Sequence, residues 1–517
     1  MRPRYLETVA GVIVFALCLA AYGLTLAPTI TWAHDGVDSG DLVTAAYTRG
    51  VAHPPGYPLF LFLARVFILL PLGEIAHRVN LLSALCAAAT AALVYCTILL
   101  LIPHLRDTPS RVSVAGGSAL LFAFSQTFWS QAVIAEVYTL NALLVAASVL
   151  LATLHRRTGD RRFLWALGLT LGLGLTNHLS TFIFLPTTLY LALGRRPTAR
   201  SSYLALAGFL VLGLSLYLYL PLCSAGHPPI DWGGSRSLSG FWWTVSARIY
   251  SDYLFGVPVA FLPARMISWL RMLAQQFTWA GFALGLVGLW DLFHSDRRFL
   301  VFSLASFGAV AAYSVTYNTS DSYVYLMPSF LVFALWIARG ASYVSVVAAR
   351  LGPTAKRDGL FSPSRVQRVV SLLMVVVLPV VVLLLNAPRV SLRHDRSAYE
   401  YAARVLATTP SDALIIADTD AHVFALWYVR YVQTPEPAPT IVAKGLLHYP
   451  WYRDTLRWNE PHVAMTLIQG DPSAQLIAFI DANLPERPVF LTDYDERILA
   501  HYSYSRQGSL YKLGTKG

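Results

Sequence analysis

The chain has 517 residues, 56% hydrophobic and only 13% charged, and 39 Lys/Arg against 28 Asp/Glu give a net charge of +11. Soluble domains carry roughly 25% charged residues, so this composition describes a multispanning membrane protein. It excludes a disordered chain, which is polar and poor in aromatics, and four cysteines in 517 residues exclude a disulfide-stapled scaffold.

A helix needs about 20 apolar residues to cross hydrocarbon. Eleven spans are expected, at 8–27, 76–102, 112–129, 137–154, 163–176, 179–193, 202–222, 277–291, 299–316, 323–343 and 369–387. The fifth and sixth are short, and their hairpin around Thr176-Asn177-His178 is expected to cross incompletely. Segment 56–71 is apolar but carries Arg65 and is closed by Pro71, which predicts an interfacial helix. The first span lacks a small-residue cleavage site and continues into Pro28-Thr29, so it is expected to be retained. With the N-terminus inside, the inner segments hold Arg2 and Arg4, Arg106 and Arg111, Arg156 to Arg162, Arg195 to Arg200, Arg297 and Arg298, and the loop 346–368. Each is basic, as the positive-inside rule requires. The last of these loops, with Gly352-Pro353 and Ser362-Pro363-Ser364, is expected to be a connector.

From residue 388 the character changes. This tail holds 13 Lys/Arg and 14 Asp/Glu. Strands are expected at 413–418, 439–445 and 488–493, with helical runs at 419–433, 451–457 and 474–484 between them. The chain thus divides into a membrane domain, 1–387, with outer loops 28–75 and 223–276, and an α/β domain, 388–517, outside the membrane. Asp418-Thr419-Asp420 follows the first strand, where open α/β sheets host ligands, but a helix N-cap is the commoner use of such a triplet. There is no P-loop, GxGxxG or zinc pattern, and Cys18, Cys86 and Cys96 fall within spans as small apolar fillers.

The membrane part has only 14 Asp/Glu, and three of them crowd into His34-Asp-Gly-Val-Asp-Ser-Gly-Asp41 of the first outer loop. Alternating Asp and Gly suits a calcium loop, although the EF-hand set is incomplete. A carboxylate at an apolar boundary also makes a general base, and simple solvation is a third reading. The following Gly50-Val-Ala-His-Pro-Pro-Gly-Tyr-Pro58 predicts a rigid turn at the membrane surface.

Thr25–Trp32, Asp38-Ser-Gly-Asp41 and Gly50–Leu59 together resemble the opening of a family of polytopic O-mannosyltransferases, whose animal members act in the endoplasmic reticulum on the IPT domains of plexins and related receptors. Weaker similarities continue through Ala135–Asn141, Gly174–His178, Tyr219–Leu222, Pro229–Gly233, Gly240–Trp243 and Asp321–Pro328. This chain has Asp41 where the family usually has Glu. The resemblance implies a GT-C glycosyltransferase fold, an α-helical polytopic bundle of about 11 transmembrane helices with an extracytoplasmic α/β domain. It further implies a polyprenyl-phosphate sugar donor, with mannose the expected sugar, and an acceptor hydroxyl on a secreted or membrane protein, a glycan or a lipid.

In that frame Asp38 is the expected general base and Asp41 its orienting partner, an acceptor contact or a holder of a divalent metal. Arg248 is the first choice for the leaving phosphate, because arginine's fork of donors suits it. His53, Glu136, Tyr138, Asn177, His178 and Tyr250 are candidate substrate contacts, and Trp232, Trp242 and Trp243 candidates for stacking on sugar. The competing readings are a transporter or flippase of a lipid-linked substrate, and a tail-borne binding module anchored by the spans. The expected location is a bacterial plasma membrane, with no nucleic-acid partner.

Overall fold

The computed structural model describes residues 3–193, 200–351, 363–434, 437–466 and 471–516. Arg195, Arg196 and residues 352–362 of the expected connector lie outside the described residues. The membrane part is helical. Its elements are α1 (Pro3–Thr25), α2 (Ser39–Thr48), α3 (Pro58–Ile68), α4 (Ile75–Leu101), α5 (Thr108–Ala123), α6 (Gln126–Ala132), α7 (Tyr138–Thr158), α8 (Arg161–Asn177), α9 (Thr181–Ala192), α10 (Arg200–Leu214), α11 (Tyr219–Ser224), α12 (Leu238–Val245), α13 (Leu262–Ser295), α14 (Arg297–Thr316), α15 (Met327–Leu351) and α16 (Pro363–Val390).

Every expected span coincides with a helix. Among the described residues, seven helices are long and apolar enough to cross a membrane: α1, α4, α7, Arg200–Ser224, Val259–Ser295, α14 and Ser322–Arg350. The α8–α9 hairpin is short, as the sequence suggests. The 12 residues of α9 reach only about 18 Å at 1.5 Å per residue, against about 30 Å of hydrocarbon. The 11-residue α3 is likewise too short to span, and Phe62 and Val66 on it are exposed, as an interfacial helix requires.

Beyond α16 come α17 (Ser397–Thr408), β1 (Leu414–Ala417), α18 (Asp420–Tyr428), β2 (Thr440–Ala443), α19 (Pro450–Asn459), α20 (Pro472–Asn483), β3 (Val489–Leu491), α21 (Glu496–Leu499), β4 (Tyr502–Gln507) and β5 (Leu510–Lys516). The sheet order is β2-β1-β3-β5-β4. The first three strands are parallel, with Leu414 opposite Thr440 on one side and Val489 on the other, and β5 and β4 add on antiparallel. Strands β1, β2 and β3 are buried along their whole length, which explains why they read as continuous apolar runs. The β4–β5 hairpin is not evident from the sequence, because β4 exposes all but its first residue and so lacks apolar alternation.

Two apolar cores result. One lies among the spans. The other is continuous from Leu42 and Val43 of α2, through Val51 and Trp232, to Phe424 and Tyr428 of α18 and Val442 of β2. The tail is therefore packed into the outer loops rather than tethered beside them. Gly40 shows how close this packing is: a Cβ there would lie 2.5 Å from the Phe424 carbonyl oxygen.

Candidate active site

The first outer loop builds the site from a helix start and a turn. Asp38 occupies the N-cap position of α2 and Asp41 lies in its first turn. The Pro-rich turn then folds back over the helix. His53 donates its backbone N–H to Asp41 Oδ2 at 2.9 Å, and its Nδ1 lies 2.8 Å from the same oxygen. Its Nε2 faces Asp38 Oδ2 at 3.4 Å. The remaining Asp41 oxygen accepts from Trp232 Nε1 at 3.0 Å. One imidazole thus bridges the two carboxylates.

The second outer loop is held against this turn by backbone pairing. Val51 donates to the Ile230 carbonyl at 2.9 Å and Trp232 donates back to Val51 at 3.2 Å. Gly50 permits it, since a Cβ there would meet the Ile230 oxygen at 2.2 Å. That pairing is what brings Trp232 to Asp41.

Asp38 and His53 line a cavity of about 440 Å³, together with Asp35, Asp321 and Asp420, His178, and the tyrosines 57, 138, 250, 253, 313, 317 and 325. No Lys or Arg is among these lining residues. Three of them, Asp35, Tyr57 and Ala247, have left-handed backbone with φ of 58°, 43° and 51°. Non-glycine residues hold that conformation at a cost and gather at functional sites.

The electrostatics follow from this enclosure. Burial pushes the Asp38 carboxyl up to about 6; His53 pulls it down, and Asp41, Asp420 and Asp321 push it up. Burial opposes the His53 imidazolium, but Asp38 and Asp41 outweigh that cost and raise it to about 9. Near neutrality Asp38 is therefore ionised yet still basic, and His53 is a cation. His178, on another wall, is pushed down to about 4 by burial. The Ser180 N–H donates to its Nδ1 at 3.2 Å, which leaves the proton of the neutral ring on Nε2.

The other expected residues are placed as follows. Asp41 is fully buried and does not line the cavity. Tyr138 and Tyr250 line it. Glu136 is buried behind the wall, its Oε1 without a hydrogen-bond partner among the described residues, and burial holds its carboxyl well above the usual range. Asn177 is buried too and donates to the Val137 carbonyl at 3.1 Å, tying the α8 end to the α7 start. Arg248 is exposed, in the chain between lining residues Ala247 and Tyr250, but is not itself a lining residue. None of the three candidate tryptophans lines the cavity: Trp232 is occupied by Asp41, Trp242 is exposed and Trp243 packs on Tyr449 and Trp451. Among the described residues no group of three or more His, Cys, Asp or Glu is arranged to hold a metal.

Residues 38–201 match the family model of the Protein O-mannosyl-transferase TMEM260 N-terminal domain. The chain is 27% identical over 470 residues to the Mus musculus Protein O-mannosyl-transferase TMEM260, covering 88% of this chain and 65% of that protein. It is 23% identical to the Dictyostelium discoideum protein of the same name, covering 93% of this chain and 63% of that one. The chain therefore spans just under two thirds of these relatives.

The fold is also found among solved structures. The crystal structure of ArnT from Cupriavidus metallidurans bound to undecaprenyl phosphate aligns with a TM-score of 0.61 at 11% identity, covering 97% of both chains. The Archaeoglobus fulgidus oligosaccharyltransferase, in complex with Zn and sulfate, aligns at 0.53 and 12% identity, covering 93% of this chain and 68% of that one. The fold is that of the GT-C glycosyltransferases. The matched segment, 38–201, supplies Asp38, Asp41, His53, Glu136 and His178, whereas Tyr250, Asp321, Tyr325 and Asp420 reach the cavity from beyond it. Of the tyrosine wall, the sequence marks only Tyr138 and Tyr250; the other five come from separated stretches of the chain and carry no signal as a group.

Proposed function

We propose that the protein is a membrane glycosyltransferase that moves a sugar, mannose by the names of its relatives, from a polyprenyl-phosphate donor to an acceptor hydroxyl of a protein Ser/Thr or a glycan. The observation that carries this reading is Asp38 in the cavity wall, with a carboxyl near 6 and a cationic His53 beside it. The relatives' names support the reaction, and the undecaprenyl phosphate of the ArnT structure supports the donor class.

The acceptor oxygen attacks the anomeric carbon as its proton passes to Asp38. The bond between that carbon and the phosphate oxygen breaks, and the electron pair leaves with the polyprenyl phosphate. The configuration inverts in this single displacement. Asp41 serves by holding His53. The departing phosphate is stabilised by the His53 imidazolium and by Arg248 reaching in from the rim. The neutral His178, with its Nε2 proton, and Tyr138 and Tyr250 donate hydrogen bonds to the sugar. Glu136 supports that wall, and Asn177 keeps the α7 and α8 ends together. We assign residues 1–387 to the membrane catalytic part and 388–517 to an extracytoplasmic module, with the N-terminus cytoplasmic and the protein in a bacterial plasma membrane.

The test is transfer by the purified full chain in lipid vesicles, supplied with undecaprenyl-phosphate mannose and a Ser/Thr peptide. A hexose added to the peptide is expected, and donor movement across the bilayer without any hexose addition would favour a flippase.

A further inference from the structure

The tail meets the cavity at Asp420 and Ala421, where the segment Asp418-Thr419-Asp420 leads from β1 into α18. The first two residues of that segment have partners of their own. Asp418 accepts from Lys444 Nζ at 2.7 Å. Thr419 is the N-cap of α18, its hydroxyl accepting from the His422 N–H at 3.3 Å. Asp420 makes no hydrogen bond or ion pair among the described residues, and it is exposed along the cavity. Neither capping nor ion pairing accounts for it.

Its position is nevertheless fixed. Trp32 Nε1 donates to the Ala421 carbonyl at 3.0 Å, Phe424 stacks on His53 with ring centres 6.4 Å apart, and Gly40 lies directly against the Phe424 backbone. The cavity thus has two sides of different origin. Tyr138, His178, Tyr317 and Tyr325 come from the ends of the membrane helices, whereas Asp420 comes from the tail. In the transferase reading, a lipid-borne donor comes to the cavity from the membrane-helix side, which leaves the tail side for a polypeptide acceptor.

We propose that Asp420 is an acceptor-binding residue, its carboxylate taking a hydrogen bond from a backbone N–H beside the attacked Ser or Thr. This rests on the transferase reading of the same cavity. An ionised carboxylate only accepts hydrogen bonds, and its bonds to N–H groups are among the stronger ones. Asp420 also acts on the neighbouring charges: it helps raise both Asp38, which His53, Asp41 and Asp321 also face, and His53, which Asp38 and Asp41 flank. Removing its charge shifts both limbs of the pH profile to lower pH, which a purely structural role would not do.

The experiment uses the full chain in phosphatidylethanolamine/phosphatidylglycerol vesicles, with undecaprenyl-phosphate mannose and a Ser/Thr peptide. Asp420→Asn is expected to raise the peptide KM about tenfold, leave the donor KM within about twofold and move both pH limbs downward. Asp420→Glu, which keeps the charge, should retain the wild-type pH profile and most of the peptide affinity. An unchanged peptide KM in Asp420→Asn, or equal losses in both variants and toward both substrates, would overturn the assignment while leaving the transferase reading intact. A wild-type protein that transfers no sugar removes the transferase reading and this assignment with it.

Discussion

The end of the helix bundle that holds Glu7 and Asp296 and the cavity at its other end treat charge in opposite ways. At the first, carboxylates are matched by arginine. Asp296 takes a two-pronged bond from Arg156 at 2.8 and 2.9 Å, Asp107 pairs with Arg368 at 3.0 Å, and Glu7 and Asp291 pair with Arg111 and Arg339. In the cavity, Asp35, Asp38, Asp321 and Asp420 converge with no arginine or lysine in the lining, and His53 is the cation among them. The first arrangement fastens helix ends together. The second gathers like charges at a cost to stability, a pattern that marks functional sites. The net charge of +11 therefore says little about binding partners, because the informative charges are the few acids left without arginines.

Breaking the cavity side should have the largest effect. Asp38→Asn removes the proton acceptor and is expected to lower kcat by about 10²–10⁴-fold with an unchanged melting temperature, read by peptide mannosylation and thermal unfolding. His53→Ala should cost both rate and stability. It leaves the fully buried Asp41 without its imidazole, a loss of about 3 kcal/mol or more for an uncompensated buried charge, measurable as a lower unfolding midpoint.

The pH profile sharpens the contrast without mutation. Asp38 must be ionised to take a proton, so activity should rise as pH passes about 6. It should fall as pH passes about 9, where His53 loses its proton. Stability has its own sign. His53 is raised on folding, so its contribution is complete below the ordinary imidazole value near 6.5 and is lost as pH climbs through about 9. The smallest effect belongs to the end away from the cavity. Arg156→Ala breaks a partly exposed pair and should cost about 1 kcal/mol, with kcat unchanged in the mannosylation assay.

Much of this was legible in the sequence. Every expected span finds a helix, and seven of the eleven fall on helices long and apolar enough to cross a membrane, because length and apolarity are local properties of the sequence. The β1, β2 and β3 runs were equally local. Asp38, His53, Tyr138, His178 and Tyr250 were named as candidates, and all five line the cavity. What escaped was non-local. Trp232 reaches Asp41 across 191 positions, and its indole alone suggested sugar stacking. Phe424 reads as an ordinary helix residue, and Asp420 as part of a triplet more suited to a helix N-cap than to a site, until the shared core places α18 on α2. Arg248 was chosen for its chemistry, yet its side chain lies outside the cavity lining.

The comparison is tested most directly by mass spectrometry of glycopeptides from cells lacking the gene and re-supplied with wild type, Asp38→Asn or Arg156→Ala. Hexose-bearing peptides should return with wild type and Arg156→Ala and stay absent with Asp38→Asn expressed at the same level. Their return with Asp38→Asn would contradict the account.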